Sequence, residues 1–364
     1  MTSTAATTSD LPIRWRVAAV FFVVSGTYAA ARAVHEPAWP TDFDQLWFAA
    51  RAMLAGDDPY AVVGPGRLFN WLWPLYYPLP AVLYTIPFTV LPVAVARVAF
   101  SAVAAGALGW AVGARARVLW PMLLSAAYII SISRTQWAPL LLAVTWMPAL
   151  GFVVMAKPNV GLAALATLRG RTLAIAIAGC AIATAFSFLV RPDWFVRWRD
   201  TVAVSPHVLS PLFLPGGFLL TLAVLRWRRP EARLLLASAV IPHTPSLYDL
   251  LLLFFACRTV TESVILALLT QALYWGIVLF GSFNTFDLYA SGLGGASIFV
   301  VYLPTLLAIL LRPNRDVEPQ DARGESAPQG WRAWVPESRL GALLLGILIF
   351  VAAMLIWLPL VTYR

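Results

Sequence analysis

Residues 35–60 read HEPAWPTDFDQLWFAARAMLAGDDPY and hold five of the 17 acids in the chain: Glu36, Asp42, Asp44, Asp57 and Asp58. A carboxylate held close to a hydroxyl can take its proton near neutral pH, so Asp42 and Asp44 are candidate general bases. The plainer reading makes Asp42 a helix N-cap and Asp44 a solvated charge. Lys157 is the sole lysine among 26 basic residues. Flanked by apolar runs, it either faces a cavity or partner or snorkels to lipid headgroups. A lysine is also a compact charge suited to gripping a phosphate. His243 lies in IPHTPSLYDLLLL, where Pro242 and Pro245 break a helix and Tyr248–Asp249 open the next apolar run. A histidine at a break with Asp249 six residues on suits a gate, a proton relay or a ligand site. Alone, it would more simply be a satisfied structural histidine. Gln136, beside Arg134 in ISRTQW, sits at the end of an apolar run. Trp71, Trp73, Tyr76 and Tyr77 fit an interfacial aromatic belt, and stacked aromatics also bind sugar rings. The sequence shows no His/Cys/Asp cluster at metal spacing, no P-loop and no GxSxG. It therefore predicts no metal, no cofactor and no nucleotide use.

These residues need elements to hold them, and the composition says which kind. Hydrophobic residues make up 60% of the 364 and charged residues 12%. A soluble domain carries about a quarter charged residues. This excludes an ordinary soluble enzyme, a disordered protein and a disulfide-stapled module, and predicts an all-α polytopic membrane protein. The net charge of +9 lies mostly between apolar runs, as topology signals do, and not as a nucleic-acid patch. Cys180 and Cys257 fall in or at the end of apolar runs and do not resemble metal ligands.

Long apolar runs extend over 17–34, 93–112, 137–156, 172–190, 209–227, 264–281, 296–311 and 340–360. Shorter ones lie at 77–92, 118–133, 159–168, 234–241 and 247–257. At ~20 residues per crossing they suggest a single integral membrane domain over 1–364 with about 11–13 passes. The short ones would be broken helices around a cavity. The first run is long enough to stay as an anchor, with no cleavable signal peptide apparent. Arg14 and Arg16 put the tail, 1–16, in the cytoplasm. Counting from there sets 35–76 as the first outer loop and 169–171 and 226–233 inside. The polar linker 312–339 also falls inside, before a last helix at 340–360. The count leaves Arg115, Arg117, Arg191, Arg197 and Arg199 outside, against the charge rule. Within the outer loop, Phe43, Leu46, Trp47, Ala50, Met53 and Leu54 repeat at helical spacing. They predict an amphipathic helix at the membrane surface, capped by Thr41 or Asp42 and stopped by Gly56. No internal repeat is evident.

Five motifs occur in order: TDFDQLWFAARAMLAGDDPY, YYPLPAVLYTIPFTVLP, a glutamine before a long span, KPNVGLAAL and IPHTPSLYDLLLL. Over roughly residues 15–311 they resemble family 87 of the GT-C-fold glycosyltransferases. That family comprises polyprenol-phosphate-mannose-dependent α-(1→2)-mannosyltransferases and bacterial relatives. The resemblance implies a GT-C-type bundle in a bacterial inner membrane, with its active site on the outer face. It implies an inverting hexosyltransferase that moves mannose or a similar hexose from a polyprenyl-phosphate-linked donor to a lipid or glycan acceptor. It places the base at Asp42, with Asp44 as competitor. It puts donor-phosphate contacts at Lys157 and His243, and substrate contacts at Tyr77, Gln136, Tyr248 and Asp249. Membrane lipids are partners and nucleic acid is not. Where the family commonly reads Gly-Gln-x-Asn, this chain has Thr135–Gln136–Trp137–Ala138, a departure that hints at a different acceptor or sugar.

Two other classes compete. A transporter or flippase for a lipid-linked or small polar substrate would use the same intramembrane Lys, His and Asp, but favours two related halves. A non-catalytic subunit would keep the fold without the activity.

Overall fold

The computed structural model describes residues 11–36, 40–205, 210–243, 246–281 and 286–314. Of the described residues 77% are helical, with almost no sheet. Among the described residues the strands are one parallel pair, Val63–Gly64 with Phe69–Asn70. Five helical stretches are long and apolar enough to cross a membrane: Leu11–His35, Val93–Leu124, Gly170–Val190, Val260–Phe280 and Gly292–Leu310. This is an all-α protein of the multi-pass membrane class. Each of the five begins or lies on one of the long apolar runs. The last helix expected at 340–360 and nearly all of the linker lie outside the described residues, as do the first ten residues of the tail.

Contacts divide the chain into two compact units. The first gathers residues 1–114, 131–208 and 241–243; the second gathers 115–130, 209–240 and 244–364. In the first unit Leu11–His35 packs antiparallel on Val93–Val112. Without a hydrophobic drive between helices in lipid, close approach through small residues holds such pairs. Gly26 faces Ala102, and Gly109 lies so close to Val17 and Phe21 that an added Cβ would stand 2.9 Å from each. At one end of the pair Arg14 Nη1 donates to the Trp110 carbonyl at 3.3 Å, and its side chain covers Gly113.

That pairing bears on the pass count. Leu79–Phe88 is too short to span, since ten residues rise about 15 Å against a core of ~30 Å. Trp47 Nε1 donates to the carbonyls of Phe88 at 3.3 Å and Leu91 at 3.2 Å, tying this segment to the helix Asp42–Leu54. Val93–Val112 thus returns beside the first helix, and 77–92 reads as a segment that turns back without crossing. Its end at Gly113, followed directly by Arg115 and Arg117, lies at the Arg14 end. A turn back at 77–92 without a crossing would put these two residues on the side that the charge rule expects.

Two other expected spans are broken. Residues 137–156 form Ala138–Val144 and then a tighter helix, Pro148–Ala156. Residues 209–227 form Pro211–Phe213 and Gly217–Arg226, joined through Gly216 at φ +75°. Proline has no N–H and its ring clashes with the preceding turn, which fits a restart at Pro148.

In the second unit Glu231 is fully buried and takes Arg229 Nε at 2.7 Å, Arg312 Nη1 at 2.9 Å and Arg258 Nη2 at 3.0 Å. Arg312 Nη2 reaches Glu262 at 2.7 Å. Burial pushes the Glu231 carboxyl up, but Arg258 and Arg229 outweigh it and hold it at about 2.

Candidate functional site

Thr41 caps the helix Asp42–Leu54, and the two acids at its start meet different fates. Asp44 points inward and is 1% exposed. It accepts Arg97 Nε at 2.7 Å and Arg97 Nη2 at 2.5 Å, a bidentate pair. It also accepts the Thr41 amide at 3.0 Å and the Thr41 hydroxyl at 3.1 Å. Four donors on two oxygens fill this carboxylate, so it is no solvated charge. Its work is to pin the first turn of the helix to Val93–Val112. Asp42, one position into the helix, stays half-buried and accepts a hydrogen bond from Gln136 Nε2. Residues 94 apart in sequence, separately singled out, are thus brought together.

Gln136 is aimed by the segment that carries it. The helix Ala126–Ser133 ends with Thr135 N–H donating to Ile132 at 3.1 Å and Gln136 N–H donating to Ser131 at 2.9 Å. This pair of bonds is the Schellman arrangement, whose pivot residue adopts a left-handed conformation. The pivot is Thr135 at φ +54°, which among the described residues is the sole non-glycine with positive φ. On its other side, Trp137 is locked by ring contact with Phe100 at 4.9 Å and Tyr84 at 6.1 Å.

Lys157 stands at the turn between Pro148–Ala156 and Pro158–Leu165. The two segments fold back on each other so tightly that a Cβ on Gly161 would lie 2.9 Å from Val154 Cα. The side chain of Lys157 is half-buried, and its carbonyl caps the second helix by accepting from Val160 and Gly161. Lys157 therefore marks the tip of a helical hairpin, at the N-terminal end of Pro158–Leu165. His243 is 4% exposed. Its Nδ1 lies 2.9 Å from the Ile241 carbonyl, and because a carbonyl only accepts, Nδ1 carries the proton. Asp42, Gln136, Lys157 and His243 belong to the first compact unit.

Tyr77 contributes its carbonyl, which accepts the Tyr60 hydroxyl at 3.4 Å. Burial first, and then Asp58, push the Tyr60 phenol above its usual range, so it stays a neutral donor. Tyr248 and Asp249 fall in the second unit, where Asp249 is buried at the start of Asp249–Ala256. The remaining loop acids serve structure. Asp58 takes Arg197 Nη1 at 2.7 Å and Arg191 Nη2 at 3.6 Å, and the Asp57 carbonyl takes Arg191 Nη1 at 3.2 Å. Two of the arginines expected outside are thus tied to this loop through Asp58, and Asp193 supplies their second carboxylate.

Arg97 and Thr135 did not stand out in the sequence. A lone arginine four residues into an apolar span was the available signal for the first. For the second there was none beyond the departure from glycine. Among the described residues no group of three or more His, Cys, Asp and Glu is placed to hold a metal ion. Compared with known proteins, the chain matches no family model, no curated protein and no solved structure.

Proposed function

We propose that this protein is a membrane glycosyltransferase that moves a hexose from a polyprenyl-phosphate donor to a lipid or glycan acceptor, with Asp42 as general base. The observation that carries the reading is the division of labour at the start of one helix. Asp44 is saturated by Arg97 and Thr41, while Asp42 keeps a half-buried carboxylate held by a glutamine. The five-motif resemblance supports the same assignment.

In the proposed reaction the acceptor hydroxyl gives its proton to Asp42 as its oxygen attacks the anomeric carbon. The bond from that carbon to the phosphate oxygen breaks on the opposite face, so configuration inverts. Polyprenyl phosphate leaves with the electron pair. Lys157, at its hairpin tip, stabilises the departing charge, and fixed cations at developing charge lower such barriers by several kcal/mol. His243 can help only as the imidazolium, because Nδ1 is committed to Ile241 and Nε2 must then carry a proton to donate. The inverted hairpin at Lys157 also suits a transporter, whose sites use broken helices.

One experiment separates the two. Purified protein is given synthetic polyprenyl-phosphate sugars with radiolabelled hexoses, and transfer to endogenous or added acceptors is followed. Lys157→Ala is expected to weaken donor binding and slow transfer, and Lys157→Arg to restore binding more than rate. Movement of intact donor across sealed vesicles without transfer would decide for the transporter.

A further inference from the structure

We propose that Gln136 is a positioning residue for the Asp42 carboxylate, aimed by the Schellman cap whose pivot is Thr135. The use made of that carboxylate rests on the transferase reading; the positioning does not.

Three observations carry the inference. The first is the bond itself, in which Gln136 Nε2 donates to Asp42 Oδ2. An amide nitrogen can only donate, so this oxygen is fixed and the carboxylate plane can no longer turn freely. A base whose orientation is set in advance loses less on reaching the reactive geometry.

The second is what the glutamine leaves undone. It is 2% exposed, and its Oε1 is buried with no hydrogen-bond partner. A buried carbonyl without a donor is costly, whereas an apolar side chain of similar size avoids that cost. Leucine would suit the fold better at this position. The glutamine answers to Asp42 instead.

The third is the cap. The same motif ends the helix Asp42–Leu54, where Gly56 N–H donates to Met53 at 3.1 Å and Asp57 N–H to Ala52 at 2.9 Å. There the pivot is a glycine at φ +89°, the residue that takes this conformation without penalty. At residue 135 the chain holds the same left-handed turn with a β-branched threonine. Strain of that kind persists only where the surroundings over-determine it. Here the bonds to Ile132 and Ser131 come before it and the packed Trp137 ring follows it. The residue immediately after the pivot is Gln136, so the cap decides where its amide points.

The test uses the full chain, purified, with infrared spectroscopy and transfer kinetics side by side. The carboxylate stretching bands of Asp42 are isolated as the difference between the wild type and Asp42→Asn. Gln136→Leu is expected to shift those bands and to lower kcat about 10²-fold with the donor KM unchanged. Gln136→Met, unbranched and without a donor, replaces Gln136→Leu if the latter does not fold, and must give the same band shift. Unchanged Asp42 bands in the leucine or methionine variant, or an unchanged kcat beside shifted bands, overturn the proposal. If the wild type transfers no sugar from any donor, the transferase reading fails, and the band shift alone still decides the role of Gln136.

Discussion

Asp42 and Asp44 are two residues apart, and nothing in their local spacing separates a base from a strut. The distinction comes from Arg97, 53 residues away from Asp44 in sequence. A pattern of amphipathic positions can predict the helix and its cap, but not which long-range cation meets which acid. Removing one partner of a buried ion pair leaves an uncompensated charge and costs about 3–5 kcal/mol. Asp44→Ala is therefore expected to lower stability by that order in a thermal or denaturant melt in detergent. Asp42→Asn should melt like the wild type and yet abolish transfer. The reverse outcome, a stable inactive Asp44 variant beside an active Asp42 variant, would exchange their roles. Thr135 makes a second prediction at this scale. A left-handed conformation costs a non-glycine residue about 1–2 kcal/mol, and glycine's extra unfolded-state freedom offsets about 0.4–1 kcal/mol of that relief. Thr135→Gly is thus expected to stabilise the chain by roughly 1 kcal/mol or less, read as a small rise in melting temperature.

Spans are legible where a long apolar run meets no proline inside it. Leu11–His35, Gly170–Val190 and Val260–Phe280 were all marked by their length. The broken elements were not legible, because hydropathy is blind to whether a run continues or turns. Residues 137–156 are apolar throughout but restart at Pro148. Residues 77–92 are apolar but double back, held by a single indole on two carbonyls. That second case changes the topology. With one crossing fewer before them, Arg115 and Arg117, which opposed the charge rule, would be expected to obey it. The expected outcome is direct. In a cysteine-free background, Leu68→Cys and Arg117→Cys should react with a membrane-impermeant thiol reagent from opposite sides of sealed vesicles. Arg117→Cys should react from the side of the N-terminus. Labelling of both from one side would restore the missing crossing.

Charge is distributed over the whole molecule in two different ways. The arginines at 191 and 197 are matched by Asp58 and Asp193. The group at Arg229, Arg258 and Arg312 instead converges on Glu231, with Glu262 alone beside it. In the second compact unit three guanidiniums thus share the Glu231 carboxylate, and the stability of that unit depends on it. Burial works against the charged form of Glu231, yet Arg258 and Arg229 hold its carboxyl at about 2 against an ordinary 4.5. The folded state therefore binds this proton less readily than the unfolded chain does. A depressed carboxyl stabilises fully above the unfolded value, and the contribution disappears as pH falls from about 4.5 through about 2. The shift corresponds to roughly 3 kcal/mol in total. Melting temperature in detergent should consequently be flat in this respect above pH 5 and fall steeply below 4.5. Glu231→Gln should be less stable at neutral pH, because three arginines lose their shared anion, and should lose much of the acid dependence. A glutamine variant whose melting curve tracks the wild type through that window would assign the acid sensitivity to other carboxylates and leave Glu231 a passive partner.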